Sequence, residues 1–197
     1  MKVVWLTGLP GSGKTSIACA VQARLHELGY RTVVLDGDKL RQGLNADLGF
    51  SIADRNENVR RTGEVAKLFL ETGALVLVAL VSPMREARDK VRQSLPGADF
   101  LEIHCACPIA ICQARDPKGH YAKAASGQLA DFTGVSSPYE APLHADLTLD
   151  TGSEPMEASV DRLMRFLTVR LDAPQAEKQA AHGAVASVMK TVWGYTE

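Results

Sequence analysis

Residues 8–15 read Gly8-Leu9-Pro10-Gly11-Ser12-Gly13-Lys14-Thr15, the pattern G-x-x-x-x-G-K-[ST]. It stands directly behind an apolar run over 2–7 and ahead of a helical stripe of Ile17, Val21, Leu25 and Leu28. A strand that turns through glycines into a helix aims several backbone N–H groups, and the positive end of the helix, at one spot. The ligand that suits such a spot is a phosphate. Glycines let the main chain close around phosphate oxygens, Lys14 reaches the β and γ phosphates, and Thr15 can ligate Mg²⁺. Gly8, Gly11, Ser12, Gly13, Lys14, Thr15 and Ser16 are therefore expected to hold ATP or GTP.

The remaining chain repeats the theme of that first unit. Apolar runs at 2–7, 32–36, 75–81, 100–106 and 146–150 alternate with stretches of helical period. Parallel strands need crossover helices, so the alternation predicts an α/β fold of the P-loop NTPase type, with a mainly parallel sheet flanked by helices. Gly29 is expected to cap the first helix. Ser51-Ile52-Ala53-Asp54 resembles a capping box opening a second, with Val59, Gly63, Ala66 and Leu70 on one face and Gly73 at its end. Residues 116–142, rich in Gly, Pro, Ser and Lys, read as a lid, because a long aperiodic segment inside a compact domain is usually functional. Val160, Leu163, Leu167 and Leu171 mark a last amphipathic helix. One domain over 1–171 is expected, followed by an Ala-rich, helical extension over 172–197 whose role the residues do not disclose.

Composition removes several function classes. Lys plus Arg number 22 against 23 Asp plus Glu, and no five-residue basic block occurs, so a nucleic-acid surface is not expected. The longest apolar run, Ala74 to Val81, is eight residues, whereas a bilayer span needs about 18. No membrane partner is expected, and the short apolar start before the glycine loop does not resemble a signal peptide. Cys19, Cys105, Cys107 and Cys112 are too sparse for a disulfide scaffold and read as reduced core thiols of a cytoplasmic enzyme.

The glycine loop does not choose the acceptor, but the end of the second strand narrows it. Leu35-Asp36-Gly37-Asp38-Lys39-Leu40-Arg41 puts acidic groups at the carboxyl edge of the sheet, where α/β proteins bind ligands. Asp38 is expected to face the γ-phosphate, and to take the proton of an attacking hydroxyl or help hold Mg²⁺. Arg41, Phe50, Arg55, Asn58, Arg60 and Arg61 come soon after. Arginine forks suit phosphate or sulfate oxygens, an adenine can stack on Phe50, and Asn58 can offer a donor and an acceptor to a base or ribose. Arg60 and Arg61 cannot both face one site from one helix, so Arg61 is expected to be solvated or paired.

Together with these segments, Asn45-Ala46-Asp47-Leu48-Gly49-Phe50-Ser51, Asp54-Arg55-Asn56-Glu57-Asn58-Val59-Arg60-Arg61, Ser82-Pro83, Arg115-Asp116-Pro117-Lys118-Gly119 and Phe132-Thr133-Gly134 occur in an order that resembles the adenylylsulfate (APS) kinases, over roughly residues 3–151. The resemblance implies transfer of the ATP γ-phosphoryl, with Mg²⁺, to the 3′-hydroxyl of adenosine 5′-phosphosulfate, giving 3′-phosphoadenosine 5′-phosphosulfate and ADP. It implies that Arg41, Arg55 and Asn58 bind APS, that Phe50 and Phe132 sandwich its adenine, and that Lys123 stands near the transferring group. Asp38 matches the carboxylate that orients the 3′-hydroxyl or the metal. Val81-Ser82 matches a backbone and side-chain contact to substrate, and Arg115 is the candidate for packing on the ATP adenine. Lys14, Asp38 and Ser82 form the candidate catalytic set. Ser82 carries two readings, a phosphoserine intermediate or a substrate contact. The second is preferred because no activating base is evident beside it.

The resemblance leaves open a homodimer and an ATP sulfurylase partner. Ala122 and Ala125 make the lid less basic than the family's usual pattern, and Ala46 replaces a common lysine. A related kinase for another nucleotide or small hydroxyl compound, or a non-catalytic nucleotide-binding regulator, are the alternatives. His104, in an apolar strand, reads as a paired or edge histidine rather than a metal ligand.

Overall fold

A computed structural model of the chain describes residues 1–95 and 100–171. The element order is β1 (Val3–Thr7), α1 (Lys14–Glu27), β2 (Thr32–Asp36), α2 (Gly37–Leu40), α3 (Ile52–Glu71), β3 (Leu75–Ala79), α4 (Arg85–Ser94), β4 (Phe100–Ala106), α5 (Ile109–Arg115), α6 (His120–Ala125), β5 (Leu147–Asp150) and α7 (Met156–Thr168). The strands form one sheet in the order β2-β3-β1-β4-β5, and every pairing is parallel. The expected α/β architecture is thus the observed one.

Burial on both faces explains why β1 and β3 are unbroken apolar runs. Successive side chains point to opposite faces. Val4 and Leu6 pack under α1 and α7 with Ile17, Val21, Leu25, Val160, Leu163 and Leu167. Val3 and Trp5 pack under α3 and α4 with Val59, Ala66, Ala87 and Val91. Each fully buried side chain of this kind contributes about 1.5–3 kcal/mol, so the two layers fix the central strand against slippage.

Several expectations need correction. The first helical stripe stops at Leu25: Leu28 is half exposed where α1 ends, and Ala18 takes the buried place. The third strand ends at Ala79 instead of residue 81, because the chain leaves the sheet at Leu80. The lid is not aperiodic throughout, since α6 lies inside it. Cys105 and Cys112 are buried thiols as expected, but Cys19 is exposed and Cys107 half-buried. Burial pushes the Cys105 thiol up to about 12, so it stays protonated and inert. His104 stacks on Tyr139, ring centroids 6.2 Å apart. The expected C-terminal extension over 172–197 lies outside the described residues. Among those described, no helix is long and apolar enough to cross a membrane.

Candidate active site

The loop after β1 has the form its glycines predict. Gly13 is the N-cap of α1 at φ 91°, a left-handed conformation that costs other residues energy. A Cβ at Gly8 would stand 2.6 Å from the Cys105 carbonyl oxygen, so the loop can lie against β4 only with glycine there. Lys14 is buried, and its Nζ donates to Gly8 O (2.9 Å), Leu9 O (2.8 Å) and Ser12 Oγ (3.3 Å). Desolvation lowers its pKa to about 8, against the opposing pull of the nearby Asp38 and Asp36 carboxylates. A cation held so far below its ordinary value is stabilised by any anion that reaches it.

At the end of β2, Asp36 rather than Asp38 is the buried carboxylate. Asp36 caps α2 by accepting the N–H groups of Asp38 (3.1 Å) and Lys39 (3.2 Å), and Thr15 Oγ1 donates to its other oxygen at 2.7 Å. Sequence reasoning missed this link, although Asp36 belongs to the Leu35-to-Arg41 motif. Its signal was position: the last residue of a strand at the carboxyl edge, facing the helix that leaves the glycine loop. Asp38 is exposed, lines the same cavity and pairs with Lys118 of the lid.

The arginine and aromatic group forms a cluster that lines the same cavity. Arg41 stacks over the Phe50 ring, its Cζ 4.4 Å from the centroid, and Arg55 lies 5.3 Å away. Arg55 donates to Phe50 O (2.9 Å) and Asp131 O (2.7 Å), and Arg41 to Leu48 O (2.9 Å) and Gly49 O (3.0 Å). These partners are carbonyls, which carry no compensating charge. Burial first, and then the Arg41 guanidinium, bring Arg55 down to about 10. Two adjacent guanidiniums in this setting make an anion site.

Asn58 corrects its expectation. Its Oδ1 accepts from Asn45 Nδ2 at 2.9 Å and is 3.4 Å from Thr62 Oγ1, so the amide N–H groups are what it has left to offer. Arg61 is paired as expected, with Asp47 (2.7 Å) and Glu57 (2.9 Å), and Arg60 is bound to Glu57.

Ser82 is buried at φ 39°. Its Oγ accepts from Trp5 Nε1 (3.0 Å) and donates to Leu80 O (3.2 Å). Both neighbours are non-basic, so its proton has no acceptor that could activate it as a nucleophile. Phe132 is buried, edge-on to Tyr121 at 4.9 Å between centroids, and Tyr121 Oη donates to Pro10 O at 2.9 Å, tying the lid to the glycine loop. Arg115 donates to Thr151 O (2.7 Å) and Cys107 Sγ (3.6 Å), and among the described residues it makes no ion pair.

These groups share one cavity of about 890 Å³. Gly11, Ser12, Gly13, Lys14, Thr15, Ser16 and Arg115 line it, as do Asp38, Arg41, Phe50, Arg55, Asn58, Val81 and Ser82, together with Lys123 and Phe132 of the 116–142 segment. Gly8 is not among the lining residues and acts behind the loop, where its missing side chain lets the loop approach β4.

A parallel sheet whose central strand feeds a glycine loop, with a buried lysine there and a cationic, aromatic cluster in the same cavity, defines an ATP-dependent phosphotransferase of the P-loop class. Comparison with known proteins narrows the class. The adenylylsulphate kinase family model matches residues 1–150, and the chain belongs to that family. It is 51% identical over 166 residues to an adenylyl-sulfate kinase of Shewanella oneidensis, covering 84% of this chain and 81% of the relative. The corresponding protein of Shewanella baltica is 48% identical over 179 residues, 91% of this chain and 87% of its own. The solved APS kinase of Mycobacterium tuberculosis in complex with AMPPNP and APS superposes with a TM-score of 0.81 at 47% identity, over 85% of this chain and 97% of that one.

Proposed function

We propose that this adenylyl-sulfate kinase moves the γ-phosphoryl of ATP directly to the 3′-hydroxyl of adenosine 5′-phosphosulfate, with both nucleotides held in the single cavity. The observation that carries the reading is that one cavity is lined by the Lys14 loop, by the Arg41, Phe50 and Arg55 cluster, and by Asp38. Direct transfer asks the protein for positioning and charge neutralisation rather than a covalent intermediate.

Each residue then has a task. The loop amides and Lys14 bind the ATP phosphates, and Arg115 packs on its base. Arg41 and Arg55 hold the phosphosulfate oxygens, Phe50 and Phe132 enclose the acceptor adenine, and Asn58 donates to it. Asp38 takes the 3′-hydroxyl proton, Val81 and Ser82 fix the ribose side, and Lys123 neutralises charge on the moving phosphoryl. For Asp38 to act, its pairing with Lys118 must give way to the hydroxyl. The Thr15 hydroxyl and the Asp36 carboxylate, 2.7 Å apart, are oxygen donors of the kind Mg²⁺ takes when it binds through one or two side chains and nucleotide phosphates. Thr15 and Asp36 would hold Mg²⁺ there, and it would supply charge neutralisation to the nucleotide phosphates. The family's ATP use fits a cytoplasmic setting. Light scattering, alone and with a sulfurylase, decides whether a homodimer or a partner complex forms.

The test is to incubate the protein with ATP, Mg²⁺ and APS and identify the product by mass and by phosphate position. A 3′-phosphorylated product is expected. Asp38→Asn, which keeps shape and loses the basic form, is expected to slow transfer by about 10²-fold or more while leaving the fold intact. Phosphate on another atom, or wild-type turnover by the Asp38 variant, overturns the reading.

A further inference from the structure

Arg88 on α4 is almost fully buried, and sequence reasoning passed over it. Its Nε donates to Glu102 on β4 at 2.6 Å, its Nη1 to Ser82 O at 2.6 Å, and its Nη2 to Glu140 O at 2.8 Å. Glu102 is in turn held by Arg92 at 3.2 Å. One guanidinium therefore joins three places: the sheet, the corner after β3, and the segment that continues from the lid.

Stability does not account for such a pair. Two buried charges forfeit their hydration, and well-packed apolar residues of similar volume often replace an ion pair without loss. What an apolar side chain cannot do is pin two carbonyl oxygens. The carbonyl at Ser82 needs pinning, because a serine at φ 39° sits in a region that L side chains occupy only when neighbours enforce it. The corner is gripped from every side. Trp5 Nε1 holds the Ser82 hydroxyl, Thr7 Oγ1 donates to Val81 O at 2.8 Å, and Tyr139 Oη lies 3.1 Å from that same Thr7 oxygen. Beside it, Glu140 N donates to Pro83 O at 2.8 Å, so the segment Arg88 also binds runs directly along the corner.

We infer that Arg88, anchored by Glu102, is a positioning residue that sets the Val81–Ser82 corner for the acceptor nucleotide and couples that corner to the segment ending the lid. The inference rests on the proposed reading of Val81 and Ser82 as APS contacts. Arg88 itself makes no hydrogen bond to Lys14 or its carbonyl partners among the described residues, and the corner meets the glycine loop's strand through Trp5 and Thr7. Loss of Arg88 is thus an acceptor-side defect.

Arg88→Lys keeps the charge opposite Glu102 but cannot serve three partners at once. Steady-state kinetics are expected to show KM for APS raised about tenfold, the loss typical of a missing charged hydrogen bond, with KM for ATP unchanged within about twofold. Glu102→Gln, nearly the same shape, is expected to shift KM for APS in the same direction by less, and it carries the test if the lysine variant fails to fold. A fall in melting temperature with both KM values unchanged, or a rise in both together, overturns the assignment. Ser82→Ala separates the two layers. If it leaves KM for APS alone, the contact reading beneath fails; if it raises KM for APS while Arg88→Lys does not, the Arg88 assignment alone fails.

Discussion

At the scale of single residues, the chemistry is concentrated in cations placed where water is scarce. Lys14 illustrates the cost. Its folded pKa of about 8 lies below the ordinary 10.5, so between those values the unfolded chain binds more protons than the folded one. Stability contributed through this group therefore rises with pH across that window, and the burial penalty is felt in full below it. Denaturant unfolding of wild type and Lys14→Met is expected to give a stability difference that changes in favour of wild type from about pH 8 to about pH 10. A difference constant over that range rejects the burial account. Residue identity was also the level most legible in advance. The Lys14 and Arg41-to-Asn58 residues could be named because their types fit phosphate and aromatic chemistry. Asp36 and Asn45 stood inside motifs without a role of their own and Arg88 outside them, since their roles come from facing a side chain of another element, and no local pattern encodes the pairing of Arg88 with Glu102.

At the scale of elements, caps and strand ends aim the site. Ser51 caps α3, its Oγ accepting from Asp54 N at 3.1 Å, and the first turns of that helix carry Arg55 and Asn58. Ser51→Ala is expected to cost about 1 kcal/mol of stability, read as a lowered melting temperature, and to weaken APS binding more than ATP binding. Equal loss of both affinities disconnects the cap from the acceptor residues. This helix and its capping box were readable because period and cap residues agree. Helix α4 was expected only as a helical stretch between strands: what its sequence does not disclose is that one of its charged residues, Arg88, is buried with Ala87 and Val91. The end of β3 was misplaced for a related reason. Leu80 and Val81 are apolar enough to extend a strand, yet Leu80 is buried in the layer under α3 and α4 and the chain turns at Ser82.

At the scale of the whole molecule, the segment over 116–142, read as a lid, lines the same cavity as the glycine loop and the Arg41–Phe50 cluster. Tyr121 anchors the lid to the glycine loop, and Lys118 anchors it to Asp38. Phosphoryl loss to water is expected to be suppressed until the acceptor is bound. ADP release with ATP alone should run at least about 10²-fold slower than with APS present, because an oriented hydroxyl outcompetes water by its effective concentration. Equal rates, measured by a coupled ADP assay, refute that expectation. The sheet was foreseeable from alternation alone, but the lid's helix and its two anchors depend on long-range contacts.

The strand order carries one more implication. On the proposed reading, the donor loop issues from the middle strand, while the acceptor residues come mainly from the chain between β2 and α3, the first turns of α3 and the turn after β3, to one side of it. Fuel handling and client recognition are therefore separately editable. An engineer wishing to redirect this scaffold to a new alcohol can rewrite the flank and leave the engine untouched.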